Sequence, residues 1–300
     1  MSVFLCLRRL KLQNANAMSS PYTIGFPAMT AWMGAVHALE RKVSREDAFQ
    51  EIRFPRMAVA CHEFELQTYR GEGDYVNSVI ISSNPLRKKG AAFERPPFIE
   101  EARVHLTVSL LIEVAGLNVD KVEAFIQKVR ECLMKMKIAG GDILGQAELT
   151  EDDLRFVNEE DEKNVRKMIR RLMPGYVLIE RRDLMEKAMG DGLNGMEALL
   201  RYLSVHHHAD GKNEKGEVTS WSASREEDGW IVPIAVGFKG ITSLEKVTNQ
   251  RDADTPHRFA ESVVTLGEFR MAHHFDSLED MLWEYDYREM ENLYLCRNQK

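Results

Sequence analysis

Apolar positions open the chain on both faces and then separate. Residues 3–12 begin Val-Phe-Leu-Cys-Leu and end with Leu10 and Leu12 on one side and Arg9 and Lys11 on the other, as in a strand leaving a core. Residues 14–21, Asn-Ala-Asn-Ala-Met-Ser-Ser-Pro, carry turn chemistry. Gly25-Phe26-Pro27 then opens a segment whose Trp32, Val36, Leu39 and Val43 fall on one helical stripe. Residues 56–69 read as a second strand by composition, with Glu63 and Glu65 on the same face as Val59 and Cys61. The cleanest alternation spans residues 103–114: Leu106, Val108, Leu110, Ile112 and Val114 face a core, and Arg103, His105, Thr107 and Ser109 face water. Residues 118–137 follow as an amphipathic helix, ended by Ala139-Gly140-Gly141, where glycine reads as a left-handed cap.

With a later strand at 176–179, the order strand, helix, strand, strand, helix, strand is the split βαβ, or ferredoxin-like, arrangement of RNA-recognition folds, an α+β class in which helices on one face leave the other free. The insert 71–101, rich in charge and broken by Asn84-Pro85 and Pro96-Pro97, predicts a finger projecting from that sheet. Residues 206–228 read as a polar loop and 230–238 as a strand. Leu278, Met281, Leu282 and Tyr285 mark a short C-terminal helix. The expected organisation is a recognition domain over 1–185 and a β-rich C-terminal elaboration over 186–300, packed on the same body.

At 300 residues, 44% hydrophobic and 29% charged, the composition is that of a globular chain with a real core. The uncharged stretch 12–39 is broken by prolines and polar residues, so no membrane span is expected, and the early Arg8-Arg9 argues against a secretory leader; a cytoplasmic location is the expectation. Cys6, Cys61, Cys132 and Cys296 stand singly, which fits reduced core residues better than a disulfide framework or a zinc site. The formal charge of -7 is uneven. Segments 148–162 and 276–291 together hold -13, leaving a body of +6 that is compatible with a nucleic-acid groove.

The candidate chemistry is that of binding. Asn14, Asn16, Ser19 and Ser20 either satisfy their own turn or present amides and hydroxyls to phosphates and base edges. Residues 163–171 carry five basic side chains around the stripe Val165, Met168 or Ile169, and Leu172; the helix either pairs with the preceding acids or contacts an RNA backbone. Arg8, Arg9 and Lys11, with Arg87-Lys88-Lys89 on the insert, extend the positive charge. His37 sits at the edge of the first helix's buried stripe and is a possible acid or base only if a second group joins it. No nucleophile elbow, zinc-protease or phosphate-loop motif is present, and His206-His207-His208 has no acid or cysteine at ligand spacing, so neither metal nor cofactor is expected.

The string Gln13-Asn-Ala-Asn-Ala-Met-Ser-Ser-Pro21, followed by Gly25-Phe-Pro27 and His37-Ala-Leu39, closely resembles the small tail subunits of type I-F CRISPR surveillance complexes, the Csy-type members of the Cas-five, or RAMP, family. Five further stretches carry the likeness: 101–111, 136–144, 171–181, 228–238 and 251–269. The resemblance implies a non-catalytic protein with a modified RNA-recognition fold and a thumb-like insert, here 71–101. It implies that the protein grips the 5′ handle of the CRISPR RNA and pairs with the large subunit that reads the PAM of target DNA. It would cap one end of a filament of backbone subunits and meet target DNA through the assembled complex. The handle-binding residues expected are Asn14, Asn16, Ser19 and Ser20, with Arg103, Arg166 and Arg170 on the backbone and Arg251, His257 and Arg258 next. The aromatic pair of ordinary RNA-recognition sheets is absent from 103–109, so any stacking falls to residues such as Tyr22, Phe26 or Phe93. Two rival readings stand beside this one: a repeat-cleaving RAMP endoribonuclease using His37 beside Gly140-Gly141, and a structural adaptor docking through 148–162.

Overall fold

The computed structural model describes residues 2–80, 86–95, 101–145, 149–158, 160–250, 252 and 254–298. Strand β1 (Ser2–Asn16) leads through a small hairpin (Met18–Ser20 with Thr23–Ile24) into helix α1 (Met29–Val43). Strands β2 (Met57–Leu66) and β3 (Arg103–Val114) come next, then helix α2 (Val122–Leu133) and a hairpin whose second strand is β4 (Gly141–Leu144). The order across the sheet is β4, β1, β3, β2, all neighbours antiparallel. The last of the four positions is thus filled by residues 141–144, and not by the predicted strand near 176. Ala139 and Gly140 do not cap α2, which ends at Leu133. They form the two-residue turn before β4, both at positive φ (48° and 78°), as a type I′ hairpin requires.

Both helices lie on one face. Trp32, Met33, Val36 and Leu39 of α1 and Phe125, Ile126 and Val129 of α2 are buried with Leu5, Leu10, Val59, Val108 and Leu110 of the sheet. Against expectation, the opposite face is not left free. At one end it buries Phe4, Cys6, Ala58, Ala60 and Leu111 under helix α3 (Glu162–Arg171) and the segment carrying Phe275, Leu278 and Met281. Among the described residues no helix covers the half of this face nearer Asn16 and Arg103; Lys11, Glu63 and Glu65 are exposed there, while Ser109 and Thr107 of the central strand are buried.

Bulges set which side chains reach that open half. In β2 the register slips between Cys61 and Glu63, so Glu63 pairs Thr107 and Glu65 pairs His105. The acids therefore leave the face of Val59 and Cys61, correcting the strict alternation read from the sequence. In β1 the slips fall at Arg9 and Asn14, both at positive φ (47° and 56°).

The remaining chain extends the sheet past β2. β6 (Tyr176–Glu180) pairs β2 at Cys61 and Ala60 and pairs β10 (Ala260–Met271) on its other side; β9 (Trp230–Gly240), β12 (Leu293–Asn298) and β11 (Trp283–Arg288) follow. Here β5 is the short edge strand Leu154–Val157 on β1. The last strand returns to β2 through the pair Trp283 and Met57, so six strands close a ring, locked where Trp283 Nε1 donates to the Leu178 carbonyl (2.8 Å). The predicted C-terminal helix is only a single turn at Glu279–Met281 followed by β11: Leu278, Met281 and Leu282 do bury, but Tyr285 belongs to a strand. Helices α4 (Arg182–Gly190) and α5 (Gly195–Leu203) enclose Tyr202 and Ile231 in a small core of their own. The expected polar loop at 206–228 contains an exposed hairpin, β7 (His206–Lys212) with β8 (Val218–Ser224). All four cysteines are buried and free.

Candidate nucleic-acid interface

The open half-face is built by the two bulges in β1. A bulge leaves one backbone N–H without a ladder partner, and here each is taken up by a side chain of β3: Arg9 N–H donates to Ser109 Oγ (3.0 Å), and Asn14 N–H donates to His105 Nδ1 (3.1 Å). Ser109 Oγ lies 2.7 Å from His62 Nε2, whose Nδ1 lies 2.7 Å from the Pro174 carbonyl. A carbonyl only accepts, so Nδ1 carries the proton and Nε2 accepts from the serine. Burial, helped by the neighbouring Arg9, lowers the His62 pKa and favours this neutral ring, the Pro174 bond opposing. Protonation would break the relay. The unfolded chain takes up protons below pH 6.5 before the folded one does, so stability is fully present above that pH and drains as pH falls through the folded pKa. We expect the urea midpoint to drop between pH 7 and pH 5.5, and His62→Gln to flatten that drop. An equal drop in the variant would remove His62 as its cause.

Arg9 and Lys11 stand exposed along β1, with Arg103 directly opposite Asn16. The acids Glu63 and Glu65 lie across the sheet on β2, Glu63 accepting from Thr107 Oγ1 (2.6 Å). The half-face is thus positive along β1 and negative along β2.

The residues expected to bind fall into separate groups. Asn14 presents an exposed amide. Asn16 spends both ends of its amide on the backbone of Met18 (3.1 Å each). Ser20 is buried and shares Thr23 Oγ1 with Ser19 (2.7 and 2.9 Å), so Asn16, Ser19 and Ser20 engage these groups within their own turn. Arg103 is half-buried and paired with Glu101. Arg166 and Arg170 are exposed on α3, under the Phe4 end of β1. That lies some ten residues, about 30 Å at ~3.3 Å per residue, from Asn14. Arg258 braces another part of the fold, bonding Asn292 Oδ1 (2.5 Å) against Gly240, while His257 Nδ1 bonds the Thr255 carbonyl (2.8 Å). Both stand at the far end of the β9 and β10 hairpin. Arg251 lies outside the described residues, as do Asn84-Pro85 and Pro96-Pro97. His37 is exposed, its ring edge-on to Tyr285 at 6.4 Å. Within the insert, Arg87–Lys89 pair with Ala92–Glu94 in a short hairpin, every one of these residues exposed.

One feature escaped sequence reasoning. Where β6 parts from β2, a cleft of about 300 Å³ opens, walled by Phe26, Phe64, Tyr176, Trp230 and Phe269. Tyr176 meets Trp230 edge-on (5.4 Å), and Phe269 touches both Trp230 and Phe26 (5.1 Å each). These rings come from five separated segments. Two of the walls carried a local signal: Phe26, which stood among the stacking candidates, and Phe64, an aromatic between two glutamates. Among the described residues no cluster of metal-ligating side chains occurs, and no helix is long and apolar enough to cross a membrane.

Comparison with known proteins agrees with this architecture in extent. The family described as CRISPR-associated protein (Cas_Csy2) matches residues 5–296, which spans the sheet, the finger and the closing strands alike. A relative from Pseudomonas aeruginosa (strain UCBPP-PA14), the CRISPR-associated protein Csy2, is 33% identical over 313 aligned positions, covering 97% of this chain and 93% of its own length. Matched nearly end to end by both, the chain belongs to the Csy2 family of CRISPR-associated proteins.

Proposed function

We propose that this protein is a non-catalytic subunit of a type I-F CRISPR surveillance complex that holds the 5′ handle of the CRISPR RNA. In the same reading it pairs with the large PAM-reading subunit, abuts the adjacent backbone subunit and meets target DNA only in the assembly. The observation that carries the RNA-binding part is the end of the sheet that no described residue covers: the strand order β4, β1, β3, β2 is that of the ferredoxin-like folds, and this patch presents Arg9, Lys11, Asn14 and Arg103, with further basic residues exposed on the hairpin of the insert. Such complexes delegate sequence reading to guide pairing, so the protein needs a shaped polar surface rather than a cleavage centre.

The test uses the full chain and a synthetic handle RNA. Lys11→Ala with Arg103→Ala should lower the slope of log K against log salt by about 1.4, at ~0.7 for each phosphate of a single strand no longer neutralised. An unchanged slope takes both residues out of the interface. Labelled repeat RNA should stay intact on incubation. Cleavage that disappears in His37→Ala would replace this reading with the endoribonuclease one.

A further inference from the structure

Strand β2 is paired with β3 along its length, but its other edge is only partly used. Met57 meets Trp283, and Ala60 and Cys61 meet Val177 and Tyr176. From residue 62 to residue 66 no strand flanks that edge among the described residues. An unpaired edge recruits an extended segment through backbone hydrogen bonds, with side-chain pockets supplying the choice of partner.

Three observations say what such a segment must be. The aromatic cleft lies beside this edge, and Phe64 projects into it. Its neighbours Glu63 and Glu65 project to the other face and are exposed, so an added strand alternates between an apolar wall and two carboxylates. No lysine or arginine lines the cleft, and its one histidine, His62, has both ring nitrogens engaged, so a phosphate brought here would find no counter-charge. The bulge at His62 and the two glutamates guard the edge against neutral or acidic strands. They do not guard it against a basic one.

We propose that residues 62–66 take an extended basic segment of a protein partner. One aromatic or branched side chain would sit in the cleft against Trp230, with lysine or arginine on either side opposite Glu63 and Glu65. This surface is distinct from the cationic row along β1 and does not depend on the RNA reading.

The test is amide hydrogen exchange on the full chain with three probes: the peptide Lys-Val-Lys-Phe-Lys-Val-Lys with blocked ends, its counterpart with glutamate for every lysine, and a seven-nucleotide uridine RNA. The basic peptide should slow exchange at 62–66 at least tenfold, and neither other probe should. Trp230→Ala should weaken that protection at least tenfold, and Glu65→Lys should abolish it while shifting preference toward the acidic peptide. Both sites are exposed, so unchanged thermal midpoints will show that the fold is kept. The proposal is overturned if the basic peptide gives no protection at millimolar concentration, or if it protects the acidic segment 276–291 equally. Equal protection by the two peptides, or protection by the RNA, which would mark the cleft as a base pocket, overturns it as well.

Discussion

Replacing Asp153 with alanine is expected to lower stability by about 3–5 kcal/mol, the usual effect of stripping one partner from a buried charge cluster. Asp153 is 1% exposed and is the last residue of the acidic turn before β5. Its Oδ1 accepts from Arg8 Nε (2.8 Å) and from Arg171, and its Oδ2 accepts from the Thr150 N–H (2.9 Å). The carboxylate therefore ties the first strand, the edge strand β5 and the end of α3 together. Without it Arg171, itself largely buried, loses its counter-charge, and the helix over Phe4 and Leu111 loses its anchor. Burial pushes the Asp153 pKa up, but the Thr150 N–H and the two guanidinium groups outweigh it and hold the carboxyl below its ordinary value of 3.8. The folded form thus releases its proton more readily than the unfolded one. The contribution is present above the ordinary carboxylate pKa and is lost as pH falls through the folded value. Urea melts at pH 7 and pH 3.5 should show the alanine variant with a much lower midpoint at neutral pH and a gap to wild type that narrows in acid. A loss under 1 kcal/mol would mean that water replaces the carboxylate without cost.

The second large effect concerns RNA. Arg87, Lys88 and Lys89 stand exposed on the hairpin of the insert, where, among the described residues, only Lys89 has an acidic partner, Glu94 at 3.2 Å. Replacing all three by alanine should lower the salt slope for handle RNA by about 2, and at low salt weaken binding by one to two orders of magnitude. Folding should not respond, because these side chains bury nothing. The same measurement on Arg166→Ala with Arg170→Ala asks a geometric question. If that pair also lowers the slope, one RNA track runs the full ~30 Å from α3 past the bulges of β1. If only the finger variant does, the basic face of α3 belongs to another neighbour or to solvent, as its pairing of Arg166 with Glu162 at 3.4 Å already allows.

Local periodicity made the helices and the central strands legible. Trp32, Val36, Leu39 and Val43 are all buried at helical spacing, and Arg103–Val114 is a strand of the extent its alternation implies. What failed depended on distant neighbours. Thr107 and Ser109 read as wet because nothing near them announces their partners, Glu63 for Thr107 and the Arg9 N–H with His62 for Ser109. Leu278, Met281, Leu282 and Tyr285 satisfy helical spacing, yet a strand pairing with Leu293–Asn298 captures the second half of the run. Among site residues, the amides and hydroxyls of the 14–20 stretch were legible as polar groups that either close a turn or face a ligand. Which of them face outward was decided by a bulge at Asn14 and by Thr23, three residues beyond the motif. The aromatic cleft was invisible for the same reason that it is well formed: its walls are assembled from across the chain.

The ring of strands has a temporal consequence. Met57 and Trp283 are neighbours in space but 226 positions apart in sequence, and at ~5–20 residues per second a ribosome delivers the second roughly 10–45 s after the first. Throughout that interval strand Met57–Leu66 waits on a nascent chain without its final flank. The kink at His62 and the paired glutamates beyond it therefore serve during synthesis as well as afterwards, keeping an unfinished polypeptide from annealing to its neighbours on a polysome.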